Sequence, residues 1–227
     1  MSQTKRSVAF IHTSPAAVGP LMQFYAEAAP ELEITNLLDD GLLRLLAAGR
    51  ARDVRRRLEE MLRAAAETYG PELAMVTCSS VSKETADSLA RGFPFPVLKI
   101  DYPMARRAVH AGRRVGVAAT FPPTLVPTSK LLLDAASEAG TEIEIVEEVA
   151  HGAYDALLSN DTATHDGLLA EAVENLQNKD VSTVVLAQVS MARALPLLSA
   201  RARVPVLTSL HTSLEAVREA LARAPRA

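Results

Sequence analysis

The chain reads as an α/β protein built from two similar lobes, each a parallel sheet covered by helices. Three observations predict this. Short apolar strands alternate with amphipathic helices along all 227 residues, the pattern of a parallel sheet buried on both faces. Three strand segments recur in the same order at offsets of 107, 110 and 109 residues. Hydrophobic residues make up 48% and charged residues 22%, so a folded core is expected. Aromatics are only 4%, and that core must be built from Ala, Leu and Val.

The elements follow in order. Ser7–His12 alternates into a strand and ends in the polar turn His12-Thr13-Ser14-Pro15. Gly19–Ala29 has Leu21, Phe24, Tyr25 and Ala28 at helical spacing. Leu32–Leu37 is a strand, and Asp39–Ala48 and Asp53–Tyr69 are helices. Three arginines of the second helix have a glutamate four residues on (Arg55 and Glu59, Arg56 and Glu60, Arg63 and Glu67), as on a solvated face. Ala74–Cys78 is a buried strand, with Ser82 as N-cap of a helix over Lys83–Arg91. Pro96–Ile100 is a strand and Tyr102–Ala111 a helix. The pattern then restarts with a strand over Arg114–Ala119, a helix over Thr128–Ala139 and a strand over Glu142–Val146. A helix runs from Asp161 or Thr162 to Asn178, followed by a strand over Thr183–Ala187 and a helix over Met191–Arg201. Val204–Thr208 is the last strand and Ser213–Arg223 the last helix.

In the repeat, Val8–Pro15 matches Val115–Pro122, Ala74–Cys78 matches Val184–Gln188, and Phe95–Leu98 matches Val204–Leu207. The division expected is residues 1–103 with 210–227 as one lobe and 104–209 as the other. Ligands of open parallel sheets bind beyond the C-terminal ends of the strands. Two such lobes facing each other as a pseudo-twofold pair would enclose a cleft lined by Thr13, Cys78, Thr120 and Gln188.

Cys78 is the only cysteine, so no internal disulfide is possible. A thiol between strand and helix meets outward backbone N–H groups and a positive helix end, and both favour thiolate. The competing reading is a small buried hydrophobe. A net charge of −3 gives no reason to expect nucleic acid. No apolar run approaches the ~20 residues of a membrane span, and the N-terminus lacks a secretory signal, so a cytoplasmic protein is expected. Dinucleotide, phosphate-loop and zinc-protease motifs are absent, and the scattered histidines predict no metal site.

These motifs resemble the aspartate/glutamate/hydantoin racemase superfamily. Thr77-Cys78-Ser79-Ser80 resembles its first cysteine motif, where Cys-Asn-Thr is usual. Val185–Ala192 is similar to the second, where Gly-Cys is usual and Gln188 stands instead. The resemblance implies a cofactor-independent enzyme acting on a small carboxylate, often as a dimer, with Cys78 as the catalytic residue. Racemisation needs a base on one face and an acid on the other. Glutamine can do neither, but it can hold a carboxylate or enediolate oxygen. A single thiol fits a racemase or cis–trans isomerase reaction, or decarboxylation of a malonate-type acid with protonation of one face. The resemblance extends to maleate isomerase and arylmalonate decarboxylase. His211 and His12 follow strand ends and are candidates for a second acid or base. Thr13, Ser14, Ser79, Ser80, Thr120, Gln188, Val189 and Ser190 are the expected substrate-binding positions, with caps and turns as the plainer reading of the hydroxyls. A protein that binds small carboxylates without catalysis is the rival from another class.

Overall fold

In the computed structural model, which describes residues 5–223, the strands are parallel throughout. The chain divides into two compact units, Met1–Ile100 with Ser213–Ala227, and Asp101–Thr212.

Unit 1 holds β1 (Arg6–His12), β2 (Leu32–Leu38), β3 (Leu73–Val76) and β4 (Val97–Lys99), in the spatial order β2-β1-β3-β4. Its helices are α1 (Val18–Ala28), α2 (Gly41–Ala47), α3 (Ala51–Tyr69) and α4 (Lys83–Ala90), with most of α10 (Ser209–Arg223). Strand side chains alternate between faces. Ala9, Ile11, Ala74 and Val76 turn to one face and join Leu42 of α2 and Val54, Leu58, Met61 and Leu62 of α3 in one apolar cluster. The spacing of the α3 residues is the stripe of an amphipathic helix. Full burial of each such large side chain contributes roughly 1.5–3 kcal/mol. On the other face Phe10 meets Tyr25 of α1 edge-on, with ring centres 5.0 Å apart. Burial pushes the Tyr25 phenol upward, and its hydroxyl bonds Ser213 Oγ of α10 at 3.0 Å.

Unit 2 holds β5 (Arg114–Ala119), β6 (Glu144–Val149), β7 (Thr183–Leu186) and β8 (Val206–Leu207), in the order β6-β5-β7-β8. Its helices are α5 (Tyr102–Ala111), α6 (Leu125–Glu138), α7 (Ala153–Leu158), α8 (Thr162–Gln177) and α9 (Leu195–Arg201). Val115, Val117, Ala119 and Val185 pack on α5 and α6. Ala118, Val184 and Leu186 pack on α8 and α9. A Cβ at Gly116 would come within 3.2 Å of Leu176 of α8, so glycine lets that helix sit close to β5.

The ladders reproduce the repeat. Val8 pairs with Leu73 and Val115 with Thr183, while Ala74 pairs with Val97 and Val184 with Val206.

Several expectations shift. α7 was not foreseen, because six residues behind Gly152 carry too little periodicity. The strand expected over Glu142–Val146 lies at Glu144–Val149. α6 begins at Leu125 rather than Thr128, with Pro127 tolerated in its first turn. The helix expected over Met191–Arg201 is a 3-10 segment, Val189–Ala194, followed by α9, whose start is set by Pro196. The last helix starts at Ser209, not Ser213. On α3, Arg56 bonds Glu60 at 2.8 Å as expected, but Arg63 reaches back to Glu59 rather than on to Glu67.

Candidate active site

The candidate site residues of unit 1 sit at the C-terminal ends of β1 and β3. β3 is fully buried, and the chain leaves the core at Thr77 and Cys78. Ala74 and Val76 have no exposed surface, Cys78 keeps 7%, and Ser79 and Ser80 are half-buried. Cys78 is thus buried as a member of the apolar cluster of unit 1, at the point where the turn Ser79-Ser80-Val81 begins. Ser82 caps α4 as expected, its Oγ accepting the Thr85 N–H at 3.2 Å. That places the helix start at Lys83, with the turn Ser79-Ser80-Val81 between it and the thiol. Cys78 thus stands before the helix end, not on it.

Lys99, the last residue of β4, is buried, and its Nζ donates to the Ser79 carbonyl at 3.3 Å. This lysine beside the cysteine turn was missed from sequence, where no lysine stood among the expected substrate-binding positions. Its signal was available: strand ends line such sites, and Lys99 is at one.

Thr13 follows β1. It is 2% exposed, and its hydroxyl has no partner among the described residues. Ser14 beside it is half-buried and hydrogen-bonded or otherwise engaged. His12 is fully buried. Its Nε2 lies 2.8 Å from Asn36 Oδ1 and its Nδ1 2.7 Å from Thr77 Oγ1. Burial lowers its pKa from 6.5, partly offset by the Asn36 bond. Both ring nitrogens are engaged, so His12 is a tie between strand ends rather than a free acid or base.

Unit 2 carries the repeat of this arrangement with a different outcome. Gln188, at the position of Cys78, turns its Oε1 onto Thr120. It accepts the Thr120 N–H at 2.7 Å and the Thr120 hydroxyl at 3.1 Å. A backbone N–H requires an acceptor, which fixes the amide orientation. The carbonyl oxygen is thereby used, and only the Nε2 hydrogens remain to meet a ligand. Thr120, expected to bind substrate, has both donors occupied by Gln188. Val189 is buried and Ser190 half-buried at the start of the 3-10 segment. His211 is exposed on the first turn of α10, with Nδ1 at 3.0 Å from Thr208 Oγ1. Among the described residues no group of three or more His, Cys, Asp or Glu is placed to hold a metal ion. Nor, among the described residues, is any helix long and apolar enough to cross a membrane.

Two four-stranded parallel sheets of the same strand order, with a lone cysteine after the third strand, define the class: a duplicated α/β protein of racemase type. The chain belongs to the Asp/Glu/hydantoin racemase family, whose model matches residues 23–217. Solved structures share the fold. An allantoin racemase from Klebsiella pneumoniae is 16% identical, with a TM-score of 0.73 over 96% of this chain and 88% of that one. A glutamate racemase isoform from Bacillus anthracis is 17% identical, with a TM-score of 0.71 over 96% of this chain and 82% of that one. An unliganded arylmalonate decarboxylase is 15% identical, with a TM-score of 0.58 over 98% and 95%. At these identities the likeness is one of fold. No curated protein matches the chain.

Proposed function

We propose that this chain is a cofactor-independent isomerase-type enzyme acting on a small carboxylate, with Cys78 as its single reactive thiol. One observation carries the reading: the repeat sets a thiol at one strand end and, at its counterpart, a glutamine whose carbonyl is already tied to Thr120. A two-thiol racemisation is ruled out by residue type, since an amide neither takes nor gives the proton. One thiolate suffices for cis–trans isomerisation. Its sulfur adds to one alkene carbon and the electron pair moves to the carbon next to the carboxylate. Rotation about the resulting single bond follows, and expulsion of the thiolate restores the double bond. Within unit 1, the Nζ of Lys99, 3.3 Å from the Ser79 carbonyl in the turn after Cys78, is a donor suited to an oxygen on which charge collects.

A second reading is decarboxylation of a malonate-type acid, with the Cys78 thiol protonating the carbanion left by loss of CO₂. The family's arylmalonate decarboxylase fold favours keeping it. On this reading the first-half position of Cys78 predicts protonation of the face opposite to that used by a second-half cysteine. We assign the protein to the cytoplasm and expect a homodimer or larger assembly, without nucleic acid or membrane partners.

The test is incubation in D₂O with maleate, aspartate, glutamate and an aryl-substituted malonate, followed by proton NMR. Geometric inversion, α-deuteration or loss of CO₂ that vanishes in Cys78→Ala supports an enzyme and selects the reaction. A chain that leaves all four unchanged, and whose Cys78 resists iodoacetamide at neutral pH, is a binding protein instead.

A further inference from the structure

The two units make the same backbone bonds where β1 and β5 end. Thr77 N–H donates to Ile11 O at 3.0 Å, and its counterpart Ala187 N–H to Ala118 O at 2.9 Å. Asp39 N–H donates to His12 O at 3.1 Å, and Ala150 N–H to Ala119 O at 2.8 Å. The side chains between these bonds differ. Unit 2 has two buried alanines, Ala119 and Ala187. Unit 1 has His12 and Thr77 at the same places, both buried and bonded to each other. An imidazole and a hydroxyl carry a desolvation cost that the alanines avoid. That polar pair occurs only in the half with the cysteine, in the residue immediately before it.

One assignment of protons satisfies the pair through its shortest contacts. Ile11 O accepts the Thr77 N–H at 3.0 Å and also lies 3.2 Å from the Thr77 hydroxyl, farther from it than His12 Nδ1 at 2.7 Å. Asn36 turns an oxygen to Nε2, and Nε2 must therefore carry hydrogen. Nδ1 is then bare and accepts the Thr77 hydroxyl proton at 2.7 Å. Every proton is placed with His12 neutral.

We propose that His12 is a positioning residue for Cys78: as the neutral Nε2–H tautomer it holds the Thr77 hydroxyl and so fixes the strand end from which the cysteine turn departs. This rests on Cys78 being the reactive thiol. Asn36 anchors the imidazole from β2, so the tie crosses three adjacent strand ends.

The experiment is iodoacetamide alkylation of Cys78 in the full chain, followed by intact mass, for wild type and four variants. His12→Gln keeps a group near Nε2 but loses the Nδ1 acceptor, whereas His12→Asn keeps an acceptor near Nδ1. Thr77→Val loses the hydroxyl and Thr77→Ser keeps it. His12→Gln and Thr77→Val should shift the rate at least about fivefold in the same direction, the size of one net buried hydrogen bond, and their double variant no further. His12→Asn and Thr77→Ser should stay within about twofold of wild type. A Thr77→Val rate equal to wild type, or single effects that multiply in the double variant, overturns the proposal. If His12→Gln does not fold, the contrast between Thr77→Val and Thr77→Ser decides alone. A wild-type Cys78 that is inert defeats the functional reading first, and so separates the two failures.

Discussion

The strand ends of unit 1 and unit 2 are the same architecture with opposite uses of their polar groups. In unit 1 the position after β3 holds a thiol, the hydroxyl of Thr13 is unpaired among the described residues, and the polar contacts lie one layer back in His12 and Thr77. In unit 2 the layer behind is alanine, and the contacts have moved forward into Thr120 and Gln188. At the one end the threonine after the first strand stands apart from the residue after the third, and at the other the matching pair, Thr120 and Gln188, is bonded together. The two units thus share backbone geometry while a few side chains decide how each set of strand ends is bonded.

Four changes break or sharpen this contrast. The largest effect is expected from Cys78→Ala, which should lower turnover of whichever acid is converted by about 10³-fold, read as the initial rate by NMR. Retained turnover would place the chemistry elsewhere. Next, Gln188→Ala leaves the buried Thr120 N–H and hydroxyl without their acceptor, and chemical denaturation should report a loss of about 1–3 kcal/mol. No loss would mean that water replaces the amide, and that unit 2 is as open as unit 1. Ser82→Ala removes the only side-chain cap found in the segments that follow β3 and β7. It should cost about 1 kcal/mol in the same measurement, and an unchanged midpoint would remove that difference between the copies.

The smallest effect is a pH dependence peculiar to unit 1. His12 has a folded pKa below its ordinary 6.5, so the unfolded chain binds more protons in the window between the two values. Its contribution to stability is complete above 6.5 and is lost as pH falls through the lowered folded value. His12→Asn should flatten the stability profile over that window. An identical profile would show that His12 does not titrate as its burial dictates.

The alternation of strands and helices, the repeat offsets and the place of Cys78 at a strand end were all legible in the sequence. Each rests on local periodicity or on spacing along the chain. α7 and the 3-10 segment over Val189–Ala194 were not, since both are shorter than a periodic signal needs. The capping of α4 by Ser82 was readable because a cap and its N–H lie three residues apart.

What the sequence could not determine is which hydrogen bonds close. Gln188 finds Thr120 across 68 residues, His12 finds Thr77 across 65, and Lys99 reaches the Ser79 carbonyl across 20. A side chain's partner at such separation depends on strand order and register, which fix who stands beside whom. The chain alone settles that a thiol and an amide occupy matching positions. Only the folded arrangement decides that the amide's oxygen is already taken, because a buried N–H must be satisfied by whatever acceptor packing brings to it.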